Sequence, residues 1–401
     1  MSSRIYRLAA GALAAAAALA VTAAPANAGT RPIISGGSGE FPSAQAGSDG
    51  VVGRDNRRRI GAHGSPAGPN APGHFPRRPL NPPVVTSTAV TAVNPGLGVS
   101  VNGLNHRDQR LANGGNQFSL EPPDQALCVG NGKVLESANT VLRVKSTAGA
   151  NLTGVVDVNT FYGYPAQINR TTGMQGPFMG DVICHYDPDM QRWIHAVFNL
   201  SVVPTTGAFT GETAVDLAVS DTADPLGTWT RYSIPTQNDG TEGTPVHPNC
   251  PCIGDYPHIG ADRYGIYIST NEYPLFTAGY NGAQIYAISK AQLAPTPMTI
   301  NVTHLDDVTV DETPGFTVWP TISPAGHNAP EAGGTEYFLS TIGGDGSETG
   351  NPTGTAQDIG LFALTNTSSL DWATPDLRLT STLVSSQRYT YPPASDQKPL
   401  A

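Results

Sequence analysis

From residue 121 onward a two-part β pattern recurs four times, and this repeat constrains the fold more than any other feature of the chain. Its first half is a Pro- or Gly-flanked turn, usually carrying an Asp, followed by an apolar strand, a polar turn and a second strand. It reads EPPDQALCVGNGKVLESANT from Glu121, GPFMGDVICHYDPDMQRWIHAVFNLS from Gly176 and CIGDYPHIGADRYGIYISTNEY from Cys252. A weaker copy starts at Gly315, with Trp319 where the others place Asp124, Asp181 and Asp255. The second half is a short strand ending in a hydroxyl: VLRVKS from Val141, LAVS from Leu217, YAIS from Tyr286 and FALT from Phe362. One more strand, such as TRYSIP or LRLTSTLV, closes each unit. A four-stranded unit of this size cannot bury a core alone, and repeated units of this kind stack radially as propeller blades.

The expectation is therefore an all-β chain, a β-propeller of four visible four-stranded blades within 84–401. The blades fall near 120–175, 176–250, 251–313 and 314–390. Five would close a ring better than four. The missing strands would come from Val84 to Phe118, or the last blade is truncated after TYPPASDQKPLA. Alternation alone does not separate a propeller from a β-sandwich, which stays open as the alternative.

Composition agrees with short strands and tight turns. Gly (45) and Pro (35) are abundant and charged residues make up only 13%, which excludes coiled coils and long helical bundles. The net charge of −10 is unevenly spread. Between Gly29 and Pro83, seven Arg stand against three acids, whereas the acidic excess lies beyond Val84. An acidic folded part repels phosphate backbones, so nucleic acid is not an expected partner. Met1 to Ala28 reads as a signal peptide, with Arg4 and Arg7, an apolar run from Leu8 to Val21, and Ala26-Asn27-Ala28 before the cleavage point. No later run is long enough to span a bilayer. The expected product is a secreted, extracellular, soluble monomer whose residues 29–83 form a disordered Pro/Gly/Arg-rich linker.

Four cysteines, Cys128, Cys184, Cys250 and Cys252, suit two disulfides in an oxidising compartment, with three possible pairings. Cys250 and Cys252 flank one Pro and are expected to reach elsewhere rather than bond each other. The rival reading is a metal site, since His247, Cys250, Cys252 and His258 fall close together, but paired zinc cysteines usually stand two to four residues apart. No metal and no cofactor is expected. Asp306-Asp307 and Asp311-Glu312 offer hard oxygens for a structural calcium, without the alternation of a known loop.

In a propeller the first strand of each blade lines the central channel, so Asp124, Asp181 and Asp255 would converge from units distant in sequence. Convergent carboxylates suit glycoside hydrolysis, and crowding raises the pKa of at least one. His185, Tyr256 and His258 follow two of these Asp residues and would face the same channel, suited to sugar hydroxyls or to a bound divalent ion, although each alone is more often a satisfied interior residue. Trp319 would supply a stacking face. Against this, Asp residues that recur in every unit also cap turns. Trp193, Trp229 and Trp372 recur as packing anchors. No G-x-S-x-G, H-E-x-x-H or dinucleotide fingerprint is present, which excludes the commonest hydrolases and dehydrogenases.

The segments EPPDQALCVGNG, RWIHAVFNL, AVSDTADPLGTW, CIGDYPHIGADRYGIYISTNEY, GAQIYAISK, GGTEYFLST and ALTNTSSL resemble a family of secreted, largely uncharacterised bacterial β-propeller proteins. More distantly the units are similar to five-bladed arabinanase- and xylosidase-type glycosidases and to sialidase-like propellers. That resemblance implies Asp124 as base, Asp255 as an orienting acid and Glu272, in STNEY, as proton donor. It leaves two functions open. One is a propeller that binds, and in the stronger form hydrolyses, an extracellular polysaccharide. The alternative is a non-catalytic scaffold for a protein or cell-envelope component, with the Arg-rich segment as tether.

Overall fold

Apolar runs broken by Gly, Asn and Asp turns fold into eighteen strands in a computed structural model that describes residues 28–45, 47, 98–120, 123–324, 326–341 and 355–390. An isolated N-terminal strand, β1 (Ala28–Glu40), precedes the repeats. The first unit is β2 (Gln125–Gly130), β3 (Lys133–Ala138), β4 (Val141–Ser146) and β5 (Val156–Asp157). The second is β6 (Phe178–Asp187), β7 (Arg192–Val202), β8 (Phe209–Ser220) and β9 (Thr228–Pro235). The third is β10 (Cys252–Ala261), β11 (Gly265–Pro274), β12 (Gly282–Ser289) and β13 (Thr299–Val310), with the short β14 (Thr313–Pro314) beside β13. The fourth is β15 (Trp319–Pro320), β16 (Thr335–Thr341), β17 (Thr355–Thr365) and β18 (Arg378–Thr390). Within each unit neighbouring strands pair antiparallel in chain order.

The first strands β2, β6, β10 and β15 lie beside one another in that order, which makes the arrangement propeller-like. Where the cores sit supports the same description. One joins the first unit to the second, through Leu135 and Val144 against Trp193 and Trp229. Another joins the second to the third, through Ile194 and Leu217 against Ile268 and Ile288. A further one joins the third to the fourth, through Tyr267 and Ile285 against Phe338 and Phe362. A sandwich would put one core between two sheets; here each unit buries itself against the next. Strands β11 and β12 are accordingly buried on both faces. Strand β2 alternates instead, with Leu127 and Val129 exposed, and in β16 Tyr337 and Leu339 are exposed in the same way.

Strand β1 departs from the expectation for 29–83. Its first half, Ala28–Ile34, pairs antiparallel with β13, and after a register shift between Ser35 and Gly37 its second half pairs with β9. It therefore straddles the outer edges of two adjacent units. Gly37 takes φ +111° at that shift, a conformation glycine adopts without steric cost. Only Ile33 of β1 is an apolar side chain buried in the core. The strand is held mainly by backbone hydrogen bonds to two edges that would otherwise be unpaired. Composition therefore marks it as linker while its partners make it a strand. Met1–Asn27 and 48–97, with the remaining signal and linker expectations, lie outside the described residues, as do 391–401.

The Cys128–Cys184 disulfide joins β2 to β6 across the first two units, with its Cα atoms 5.8 Å apart. It closes a loop of sequence separation 56, so chain-entropy arguments assign it about 4 kcal/mol. The double substitution Cys128→Ser/Cys184→Ser is expected to lower the unfolding free energy by that order in urea titration. An unchanged midpoint would show that the inter-unit core alone fixes this contact.

Candidate functional site

The three repeated aspartates meet. Asp124 immediately precedes β2, Asp181 lies in β6 and Asp255 in β10. At the latter two, the pairing with the second strand breaks register, between Gly180 and Ile183 and between Asp255 and His258. Such bulges re-aim a side chain. Asp181 also takes a left-handed φ of +53°, which non-glycine residues adopt rarely. Its carboxyl is hydrogen-bonded to those of both Asp124 and Asp255. Burial, then the charges of Asp255 and Asp124, push Asp181 well above the usual carboxylate range. Asp124 is raised as well, by burial first and by the Asp255 charge, with the hydrogen bond from Asp181 opposing. Both shifts favour a protonated carboxyl within the trio.

Aromatic side chains stand next to these carboxylates. The Tyr256 hydroxyl contacts Thr317 Oγ1 at 3.0 Å, and Tyr256 feels the charges of all three aspartates. The His258 ring is buried, edge-on to Tyr256 at 4.6 Å and stacked on Trp319 at 3.8 Å between centroids. Burial lowers its pKa to about 4, so it is neutral at physiological pH. Trp319 is 50% exposed, which leaves ring surface open to solvent beyond the face that His258 covers.

Two expected members stand elsewhere. His185 projects toward Asp187 (3.7 Å), which also holds Lys290, and does not join the trio. Burial raises Asp187, but His185 and Lys290 outweigh it and bring its pKa to about 2. Glu272 is the larger correction. In the β10–β11 ladder Asp255 faces Asn271 and Gly254 faces Glu272. Because neighbouring residues on a strand point to opposite faces, Glu272 is turned away from Asp255. It is fully engaged there, accepting from Asn238 Nδ2 and from Asn281 Nδ2 (2.8 Å) and meeting His247 Nδ1 (2.8 Å). The opposite nitrogen of His247 meets Asp306 Oδ2 at 3.3 Å. Glu272 therefore cannot act as proton donor at the aspartate trio.

Two smaller expectations are also corrected, the separate pairing of Cys250 and Cys252 and the packing of Trp372. Cys250 and Cys252 are bonded to each other, their Cα atoms 4.5 Å apart, because the chain folds back at Pro251 within the range a disulfide can bridge. Asp306 is committed to His247, while Asp311 and Glu312 form the turn after β13 with φ of 51° and 62°, so the four acids share no cation cage. Trp193 and Trp229 are buried anchors, but Trp372 is exposed. Of the described residues, Cys250, Cys252 and Glu272 bring metal-ligand atoms within 4.8 Å of one another.

Asp306 and then Glu272 raise His247 to about 9 against burial, making it a cation between two carboxylates. A folded value above the unfolded 6.5 means its stabilisation is full below about pH 6.5 and is lost as pH rises through 9. Thermal melts across that window should show wild type losing about 1–2 kcal/mol more than His247→Gln. Parallel curves for the two proteins would deny the linkage.

Sequence reasoning missed Asn139 and Asn271. Asn139 Nδ2 donates to Asp124 Oδ2 at 2.9 Å, and Asn271, opposite Asp255, bonds Thr317 through both ends of its amide. The signal was present: Ser137-Ala138-Asn139 and Ser269-Thr270-Asn271 recur at the end of the second strand in two units.

No family model matches the chain, and no curated protein matches it. Among solved structures it is similar to a glycoside hydrolase of the mannoside phosphorylase family 130 that targets β-1,2-mannosidic linkages, at 10% identity and TM-score 0.32, over 68% of this chain and 72% of the other. It is also similar to an α-L-arabinofuranosidase from Lactobacillus brevis, at 13% identity and TM-score 0.31, over 64% and 71%. A family 43 β-1,3-galactosidase matches at 10% identity and TM-score 0.29, over 66% and 91%. At these TM-scores none of them bears on what the site does.

Proposed function

We propose that this is a secreted propeller whose channel mouth binds an extracellular glycan through Asp124, Asp181, Asp255, Tyr256, His258 and Trp319. The observation that carries the reading is the meeting of three carboxylates from three units beside a half-exposed tryptophan. Asp181, whose carboxyl burial and its acidic neighbours favour in the protonated form, donates; Asp124 and Asp255 accept from sugar hydroxyls, and the Trp319 ring covers an apolar sugar face. His185 and Glu272 have no part in it. In the stronger form the site hydrolyses the glycan. Asp181 then replaces Glu272 as the proton-bearing carboxyl, Asp124 activates water, and Asp255 orients and tunes its neighbours.

A glycan-array screen of the mature protein, followed by calorimetry on the best ligand, tests the reading. Trp319→Ala should weaken that binding about tenfold, the scale of one lost aromatic contact. A second reading, a non-catalytic scaffold for a protein or cell-envelope partner, draws on the exposed apolar residues Leu127, Val129, Tyr337 and Leu339. It takes over if no glycan binds and an envelope protein co-purifies.

A further inference from the structure

We propose that Cys250, Cys252, Glu272 and His247 form a binding site for one zinc-class ion whenever the Cys250–Cys252 disulfide is opened by a thiol or phosphine reductant. This site lies on the face of β11 opposite the aspartate trio and is independent of the glycan reading. Its ligand atoms are already gathered. The two sulfurs and a Glu272 oxygen lie within 4.8 Å of one another, and Cys250 Sγ is 3.7 Å from Glu272 Oε1. Donors about 2.0–2.3 Å from a tetrahedral zinc stand roughly 3.3–3.8 Å apart, so the two cysteines and Glu272 need little beyond parting of the sulfurs, while the His247 ring has to swing toward them. His247 Nδ1 is 2.8 Å from the same Glu272 oxygen and supplies the fourth ligand.

The surroundings have the form of an outer shell around a metal. His247 Nε2 meets Asp306, the carboxylate–imidazole arrangement that fixes ring orientation and leaves the other nitrogen for a metal. Asn238 and Asn281 hold the Glu272 carboxylate from the side. Cys250 is partly exposed while Cys252 is buried, so a reductant reaches the Cys250 sulfur first. The bond closes a loop of sequence separation 2, so opening it releases little chain entropy and the fold remains.

With a dithiol or a phosphine, the balance is closed. The dithiol loses two electrons and forms its own disulfide, or a phosphine loses two electrons and takes the oxygen of a water molecule as its oxide; the protein bond takes those electrons and two protons, and two thiols result. Both thiol protons leave as the thiolates bind the ion, and so does the proton that the His247 cation carries on Nδ1, which frees that nitrogen to ligate.

The test uses the mature chain reduced with a phosphine, desalted without oxygen, and titrated with Zn²⁺ against a chromophoric chelator and with Co²⁺ as a spectroscopic probe. The expected result is one equivalent bound by the reduced protein and none by the oxidised, with a cobalt–thiolate charge-transfer band. Cys250→Ser/Cys252→Ser should abolish that band, and His247→Ala or Glu272→Gln should each weaken binding about tenfold or more. Repeating the titration in Cys128→Ser/Cys184→Ser leaves only the one pair and must give the same stoichiometry. A reduced protein without the band, a band that survives in Cys250→Ser/Cys252→Ser, or affinity indifferent to His247 and Glu272 would overturn the proposal.

Discussion

Ile33→Asp is expected to destabilise the protein by about 4 kcal/mol, far more than a single change in a Gly- and Ser-rich segment would suggest. Ile33 is 5% exposed and belongs to the core between the second and third units, in contact range of residues on both. The substitution removes that burial and places a carboxylate among aliphatic side chains. It also frees β9 and β13, two edges able to pair with other chains, so aggregation should accompany unfolding. Ile33→Val, which keeps the shape, should lose only about 1 kcal/mol. Urea titration compares the three proteins. If Ile33→Asp unfolds at the wild-type midpoint, β1 contributes nothing to the stability of the units it bridges.

For Asp255→Asn the expected outcome is loss of turnover by about a thousandfold or more, with the fold intact. The change removes one charge and almost no volume. It also removes the Asp255 charge that, after burial, raises Asp181, so the Asp181 carboxyl gives up its proton more readily. Binding should weaken only a few-fold, since an amide still meets hydroxyls. Asp181→Asn makes the contrast: it mimics the protonated carboxyl and should preserve binding while removing the transferable proton. Steady-state hydrolysis of the ligand found by screening reads both variants. Turnover unaffected by Asp255→Asn would remove hydrolysis from the trio.

The trio was legible because each aspartate repeats at the start of a unit, where a propeller brings first strands together. Glu272 was misplaced because sequence proximity to Asp255 on a neighbouring strand says nothing about facing. Only the ladder register, which sets Gly254 rather than Asp255 opposite it, decides that. His185 was misplaced for a similar reason. It follows Asp181 along β6 beyond a bulge, and Lys290, more than a hundred residues away in sequence, builds its acidic neighbour's surroundings. The Cys250–Cys252 bond depended on a local reversal at Pro251, which composition does not reveal. Most hidden was β1, whose ladder partners lie as far along the chain as Leu305 and of which Ile33 packs in the core.

The position of β1 also imposes an order on how the molecule is made. Its residues leave the ribosome early, yet they have no partner until β9 exists, and none for their first half until β13 has been synthesised through Leu305. Throughout that interval the second and third units can stack but keep open outer edges. The N-terminal segment meanwhile must neither pair with a wrong edge nor be cut. Few apolar groups and several Gly and Ser residues make it a poor substrate for premature pairing. Docking of β1 is then a late event that ties the outer edges of the second and third units together before the fourth unit is added.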